Sequence, residues 1–381
     1  MPDVSDNDVL GEGLTRLAAT GPEFRGGLSN HGPMAAEALV RLGRADAVEH
    51  WLDGYLPRLD PAPRPSDRIT DETWPQALGK YNRVADWTAY LRDQLKDDPW
   101  RDVLARWWPR LLPGVAAAAT HGVIRTAHAA RSLAVIETTT AEISAGISAQ
   151  TTAGTSFAPV AGTASPGAAG PRLDELANAL AYWAASYVEL PGAAPASGNL
   201  DLTAAIRALP VLPEPGPEGL ISARLKAGLE RAPRFGAAVG ALRPPADATA
   251  ARVALRDLAR EFARNFLAYG RSRPITWLHA VTAPVAAYSA LPLLPDVLAG
   301  ATYDALWQVG AAIYTVHAGD VTREPLPDTT PPGPDDLTDR AVATADEHAI
   351  KLTEACLRLH AETADPLLLH AAARASSLLG G

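Results

Sequence analysis

Apolar residues in this chain recur at helical spacing, with Ala, Leu and Arg in long runs, and no stretch alternates polar and apolar residues well enough to build a sheet. A mainly α fold follows, read as a single compact multi-helix domain with long Pro/Gly-rich loops. The clearest helical patterns fall at 34–42, 86–96, 114–133, 173–187, 250–268, 296–317, 337–358 and 366–379, within an expected total of about a dozen. Three stretches rich in Pro, Gly, Ser and Thr, 57–70, 151–171 and 321–335, read as loops. The middle one, TTAGTSFAPVAGTASPGAAGP, is low in complexity and is expected to be a mobile surface insertion. Helices of similar character flank each break, so one domain over 1–381 is expected.

Composition narrows the function classes. With 381 residues, 47% of them hydrophobic, the chain can bury a sizeable core. A net charge of -9 leaves no broad basic surface with which to release counterions from a nucleic acid. The single Cys356 excludes a disulfide framework and every Cys-rich metal motif. The acidic start MPDVSDNDVL is unlike a secretory signal, and no uncharged apolar run reaches the roughly 18 residues of a membrane span. A soluble cytoplasmic protein is expected. Its 34 basic residues comprise 30 Arg and only four Lys, at Lys80, Lys96, Lys226 and Lys351.

Without Cys clusters, metal or acid–base chemistry falls to nine histidines. His31, in SNHGPMAAEAL, stands just ahead of a helix that Pro33 can start; either it or Asn30 could simply cap that helix. His121 and His128 are seven apart on one helical face, a rise of about 10.5 Å, so only one of them can bind a given ion. Gly122 beside His121 allows close approach of a neighbouring element. His279, two residues after Trp277 in an apolar run, is expected to be buried, and a core histidine bonded to a carbonyl is the plain alternative. His317 ends a helix, where a favourable dipole contact accounts for it.

The segment ADEHAIKLTEACLRLH is the most informative. His348 and Lys351 are three apart and share a face, while Asp346 and Glu347 are expected to point elsewhere. Lys351 could snorkel to water over its apolar neighbours. Alternatively it is buried and loses its charge, and its free amine can take up carbon dioxide as a carbamate that offers carboxylate oxygens to a metal. Several imidazoles with one such oxygen anion suit a divalent first-row metal, and open positions suit iron with dioxygen.

Taken together, SNHGPMAAEALVRLG with HWLDGYLPRL, then THGVIRTAHAARSL, LANALAYWAASY, TWLHAVTAPVAA and DEHAIKLTEACL resemble the questin oxidase-like family, in family order from Asn30 to Leu357. The resemblance implies a helical fold around a non-haem Fe(II) bound by four histidines and a carboxylated lysine. It also implies a flavin-free oxygenase that opens the ring of, or oxygenates, an anthraquinone- or hydroquinone-like polyketide with dioxygen. Carried over motif by motif, the metal ligands are His31, His121, His279, His348 and Lys351. Carbon dioxide, as the lysine carbamate, is then a further cofactor. The motifs do not set the substrate-contacting positions; His128 is assigned to the pocket wall and to proton supply, and Trp277, Tyr288 and His317 to the walls of the substrate pocket. No GxGxxG follows a strand, so any NADPH would act as an external reductant rather than on an encoded Rossmann module. The insertion at 151–171 has no counterpart in the family.

Two rivals stand beside this reading. One is a hydrolase using a carboxylated lysine, which would need a parallel barrel and His-x-His strand motifs. The other is a metal-free helical binding protein in which the five residues are core.

Overall fold

The structure is a computed structural model that describes residues 4–152, 169–213, 218–319 and 322–380. Among the described residues it forms seventeen α-helices, more than the dozen expected, and one hairpin, β1 (Glu23–Phe24) with β2 (Leu28–Ser29). The helices that build and frame the site are α1 (Val4–Leu17), α2 (Gly32–Arg41), α3 (Val84–Asp97), α4 (His121–Thr152), α5 (Gly170–Ala185), α6 (Ala248–Tyr269), α7 (Pro274–Ala290), α8 (Ala299–His317), α9 (Pro334–Thr344), α10 (Glu347–Thr363) and α11 (Pro366–Leu379). The mainly α class therefore holds. No helix among the described residues is long and apolar enough to cross a membrane.

Helix α7 is apolar on every face, and nearly all of it is buried. Such a helix belongs at the centre of a domain. It packs against α4, α6, α8 and α10. Helix α2 in turn packs against both α4 and α10, so α2, α4, α7 and α10 form a closed ring of pairwise contacts. Two hydrophobic clusters flank the ring. The smaller joins Leu10, Leu14, Leu39, Trp51 and Leu52 with Ile350, and the larger takes in Leu352. Helix α10 thus lies on the seam between two cores, with Lys351 between the residues that face them.

Two expected helices are broken, both at non-glycine residues of positive φ. The pattern at 114–133 is interrupted at Ala118, Ala119 and Thr120, with φ of 45°, 55° and 68°. The pattern at 337–358 is two helices, because Ala345 has a φ of 52° and Asp346 starts α10 anew, its Oδ1 accepting from the backbone N–H of His348 and Ala349. Periodicity ran through both sites because the residues at the breaks are apolar or small. Of the loop at 151–171, α4 takes residues up to Thr152 and α5 begins at Gly170, and residues 153–168 lie outside those described. The loop at 321–335 ends two residues early, at the start of α9.

Candidate metal centre

Each helix of the ring brings one histidine to its middle. His31 is the N-cap of α2, yet its side chain makes no capping bond. That work falls to Asn30, whose Oδ1 accepts from the N–H of Gly32 at 2.9 Å and whose Nδ2 donates to the carbonyl of Gly21. The His31 backbone N–H is spent on the Tyr55 hydroxyl at 2.8 Å, and its imidazole is left free to turn inward. His121 opens α4 directly after the left-handed run 118–120, which aims it. A Cβ on the next residue, Gly122, would stand 2.5 Å from Cγ of Trp183, so the glycine is what lets α5 approach. His279 lies in the second turn of α7, and His348 in the first turn of α10.

The four imidazoles close a ring in the same order as their helices. Centroid separations are 4.5 Å for His31–His121, 4.6 Å for His121–His279, 5.8 Å for His279–His348 and 4.4 Å for His348–His31. Nε2 of His121 is 2.7 Å from Nε2 of His31 and 3.1 Å from Nε2 of His279. Ligand atoms of His31, His121 and His348 all lie within 4.8 Å of one another.

For His121 and His279 the outward nitrogens explain why the inward ones are available. Nδ1 of His121 donates to the carbonyl of Ala118, and Nδ1 of His279 to that of Ile275 at 2.5 Å. A carbonyl can only accept, so both protons sit on Nδ1 and both Nε2 atoms are bare lone pairs. His31 turns its Nδ1 toward Oε1 of Glu347 at 3.7 Å, and His348 its Nδ1 toward Oδ1 of Asp346 at 3.6 Å. Asp346 and Glu347, expected to point away, are thus the acidic backing of two of the histidines. Outer carboxylates and carbonyls in these positions orient the imidazoles of metal sites.

Lys351 stands one turn after His348, 1% exposed, with no hydrogen-bond partner for Nζ. Burial pushes its pKa down to about 7, against the opposing pull of Glu347 and Asp346. Burial, with the charge of Lys351 nearby, also holds His31 and His279 well below their usual range. For His121, burial and His279 lead. A snorkelling lysine is excluded by this burial. Converging lone pairs beside an unpartnered amine form a donor set suited to a cation, and that chemistry fits a divalent metal held by imidazoles and a lysine-derived oxygen.

The remaining expected residues are not brought to this centre. His128 is two turns along α4 from His121, and its Nδ1 donates to Oε2 of Glu37 at 2.8 Å, which commits it to an ion cluster. Trp277 is buried on the outer side of α7, stacked on Tyr269 at 5.3 Å. Tyr288 sits at the far end of α7, donating from its hydroxyl to Oε2 of Glu362 at the surface. His317 is buried at the last turn of α8. Trp277 turns away from His279 because a helix carries a residue two positions off to its opposite side, Tyr288 lies nine residues further along the same helix, and His317 stands on a helix that brings no histidine to the ring. Glu37 and Arg131 stand outside the expectations drawn from sequence. The signal available was a lone glutamate in the otherwise apolar MAAEALV.

The chain matches no protein-family model and no curated protein.

Proposed function

We propose that this chain is a non-haem iron-dependent oxygenase acting with dioxygen on a polycyclic aromatic, anthraquinone- or hydroquinone-like substrate, as its resemblance to the questin oxidase-like family implies. One observation supports this above the others: four imidazoles from four helices close a ring, and a buried, unpartnered lysine stands one helical turn after the fourth of them. His31, His121, His279 and His348 would hold Fe(II) through ring nitrogens, and Lys351 through a carbamate oxygen. Iron(II) in such a set supplies the one-electron chemistry that makes dioxygen reactive toward an aromatic ring.

The chain's own groups prepare the site. Carbonyls of Ala118 and Ile275 hold two imidazoles in the tautomer that offers Nε2. Burial brings the pKa of the Lys351 amine down to about 7, so a substantial share of it is uncharged near neutral pH and its lone pair can attack carbon dioxide, with loss of a proton, to give an anionic carbamate. That anion lowers the charge of a ferrous centre from +2 to +1, which a buried site tolerates better.

The test is metal analysis of protein purified without oxygen, with and without added bicarbonate. One iron per chain, retained only when bicarbonate is supplied, is the expected result, with dioxygen uptake on addition of a hydroquinone. No iron under either condition, or two zinc ions per chain as a hydrolase would carry, would overturn the reading.

A further inference from the structure

Behind the imidazole ring lies a second buried cluster, and it joins three of the same four helices. Glu37 is on α2, nearly two turns after His31. His128 and Arg131 are on α4, two and nearly three turns after His121. Glu354 and Arg358 are on α10, one and two turns after Lys351. Arg131 is the hub. Its Nε donates to Oε1 of Glu37 at 2.8 Å, its Nη2 to the other oxygen of the same carboxylate, and its Nη1 to Oε1 of Glu354 at 2.9 Å. Arg358 donates from Nε to that same Glu354 oxygen at 3.1 Å.

The side chains of Glu37 and Glu354 are 5% exposed and that of Arg131 is 7% exposed. Taking such charges out of water is costly, and apolar residues of the same volume commonly give equal or greater stability. Stability is therefore a poor reason for the cluster. Geometry is a better one. An apolar contact between helices lets them slide, whereas a planar guanidinium that grips two carboxylates fixes both partners in distance and angle. One guanidinium on the helix of His121 here grips the helix of His31 with one edge and the helix of His348 and Lys351 with the other. The two carboxylates meet three guanidinium groups, those of Arg131, Arg358 and, at 3.8 Å from Glu37 on the half-buried side, Arg41, and His128 donates its Nδ1–H to Glu37.

We propose that Glu37, Arg131 and Glu354 are positioning residues: a clamp that sets the separation of His31, His121 and the His348–Lys351 pair, and through it the affinity and coordination geometry of the metal centre. The proposal rests on the metal reading above. His279 lies outside the clamp, on a helix that contributes no member to it, and is held by its own bond to Ile275.

Cobalt(II) is the probe, because its visible d–d spectrum reports coordination geometry and its affinity can be measured by chelator competition. Two variants carry the test. In the first, Glu37→Met, Arg131→Met and Glu354→Met together replace the cluster with apolar volume. In the second, Arg131→Lys keeps the charge but removes the fork. Both should bind cobalt at least ten-fold more weakly than wild type and with an altered d–d spectrum, the usual scale for losing outer support of metal ligands. The melt of the triple variant, in which Arg358 has lost its carboxylate, is read beside the spectrum to separate a lost fold from lost geometry. If the triple variant fails to fold, Arg131→Lys decides the matter alone. Wild-type affinity and spectrum in a folded variant would overturn the clamp and leave the metal reading standing. Wild-type protein that binds no cobalt would overturn both.

Discussion

Nε2 of His121 and Nε2 of His279 face each other across 3.1 Å while each ring spends its Nδ1–H on a backbone carbonyl, so two lone pairs meet with no proton between them. Burial lowers the basicity of both rings and disfavours filling the gap with a proton. A bound cation would relieve the contact. Metal-loaded protein should therefore be more stable than chelated protein, by about 2.7 kcal/mol when free metal stands at about 100 times Kd. Anaerobic calorimetry with and without chelator checks this, and coincident melts would refute it.

Lys351→Met should separate packing from chemistry. The methionine fits a buried apolar position and removes an amine that has no partner, so the metal-free variant should melt at or above wild type. Metal retention should fall at least ten-fold and lose its dependence on bicarbonate. Metal content by elemental analysis, measured beside the melt, reads both.

Gly122→Ala places a methyl where Trp183 already stands, 2.5 Å from its Cγ. Helix α4 must move off α5 to admit it, taking His121 along. A loss of about 1–3 kcal/mol in urea unfolding is expected, as for other overpacked sites, with weakened metal binding. A neutral result would mean that the contact with Trp183 does not set the position of His121.

Acid should unfold the protein through the clamp. Burial, the largest single influence, would raise Glu37 and Glu354, but Arg131 together with His128 for the first and Arg358 for the second outweighs it and holds both carboxyls far below their usual range. A carboxyl depressed in the folded state stabilises fully above its unfolded pKa near 4.5, and that contribution is lost as pH falls through the folded value. Unfolding free energy should drop steeply between about pH 4.5 and 2, and Glu354→Gln should make that acid limb shallower. Urea midpoints across this range provide the measurement.

Cys356 is fully buried on α10, and burial, with Glu354 nearby, raises its thiol pKa. Thiolate is the reactive form, so the native protein should ignore a thiol reagent that labels it at once in denaturant. Labelling at comparable rates in both states would show that α10 opens readily.

Much of the centre was legible because its residues carry local signs: Pro33 behind His31, Gly122 behind His121, and a rare lysine one turn after His348. The fold class was legible from periodicity alone. The breaks at Ala118–Thr120 and Ala345 were not, since alanine is a helix former and only tertiary packing holds it at positive φ. Nor was the clamp, because Glu37, Arg131 and Glu354 lie on helices whose adjacency is a tertiary fact. Of the expected pocket residues, Trp277 could have been set aside from its two-residue offset from His279, whereas the places of Tyr288 and His317 are tertiary facts.

The four imidazoles span residues 31 to 348, and no two of them share a helix. During synthesis the ring cannot exist until α10 has been made and has docked against α2, which closes a loop of most of the chain. Contacts so distant in sequence form late. A partly made chain offers a metal at most scattered imidazoles, so capture of an ion would report that folding is complete and would hold the first and last ring helices together from then on.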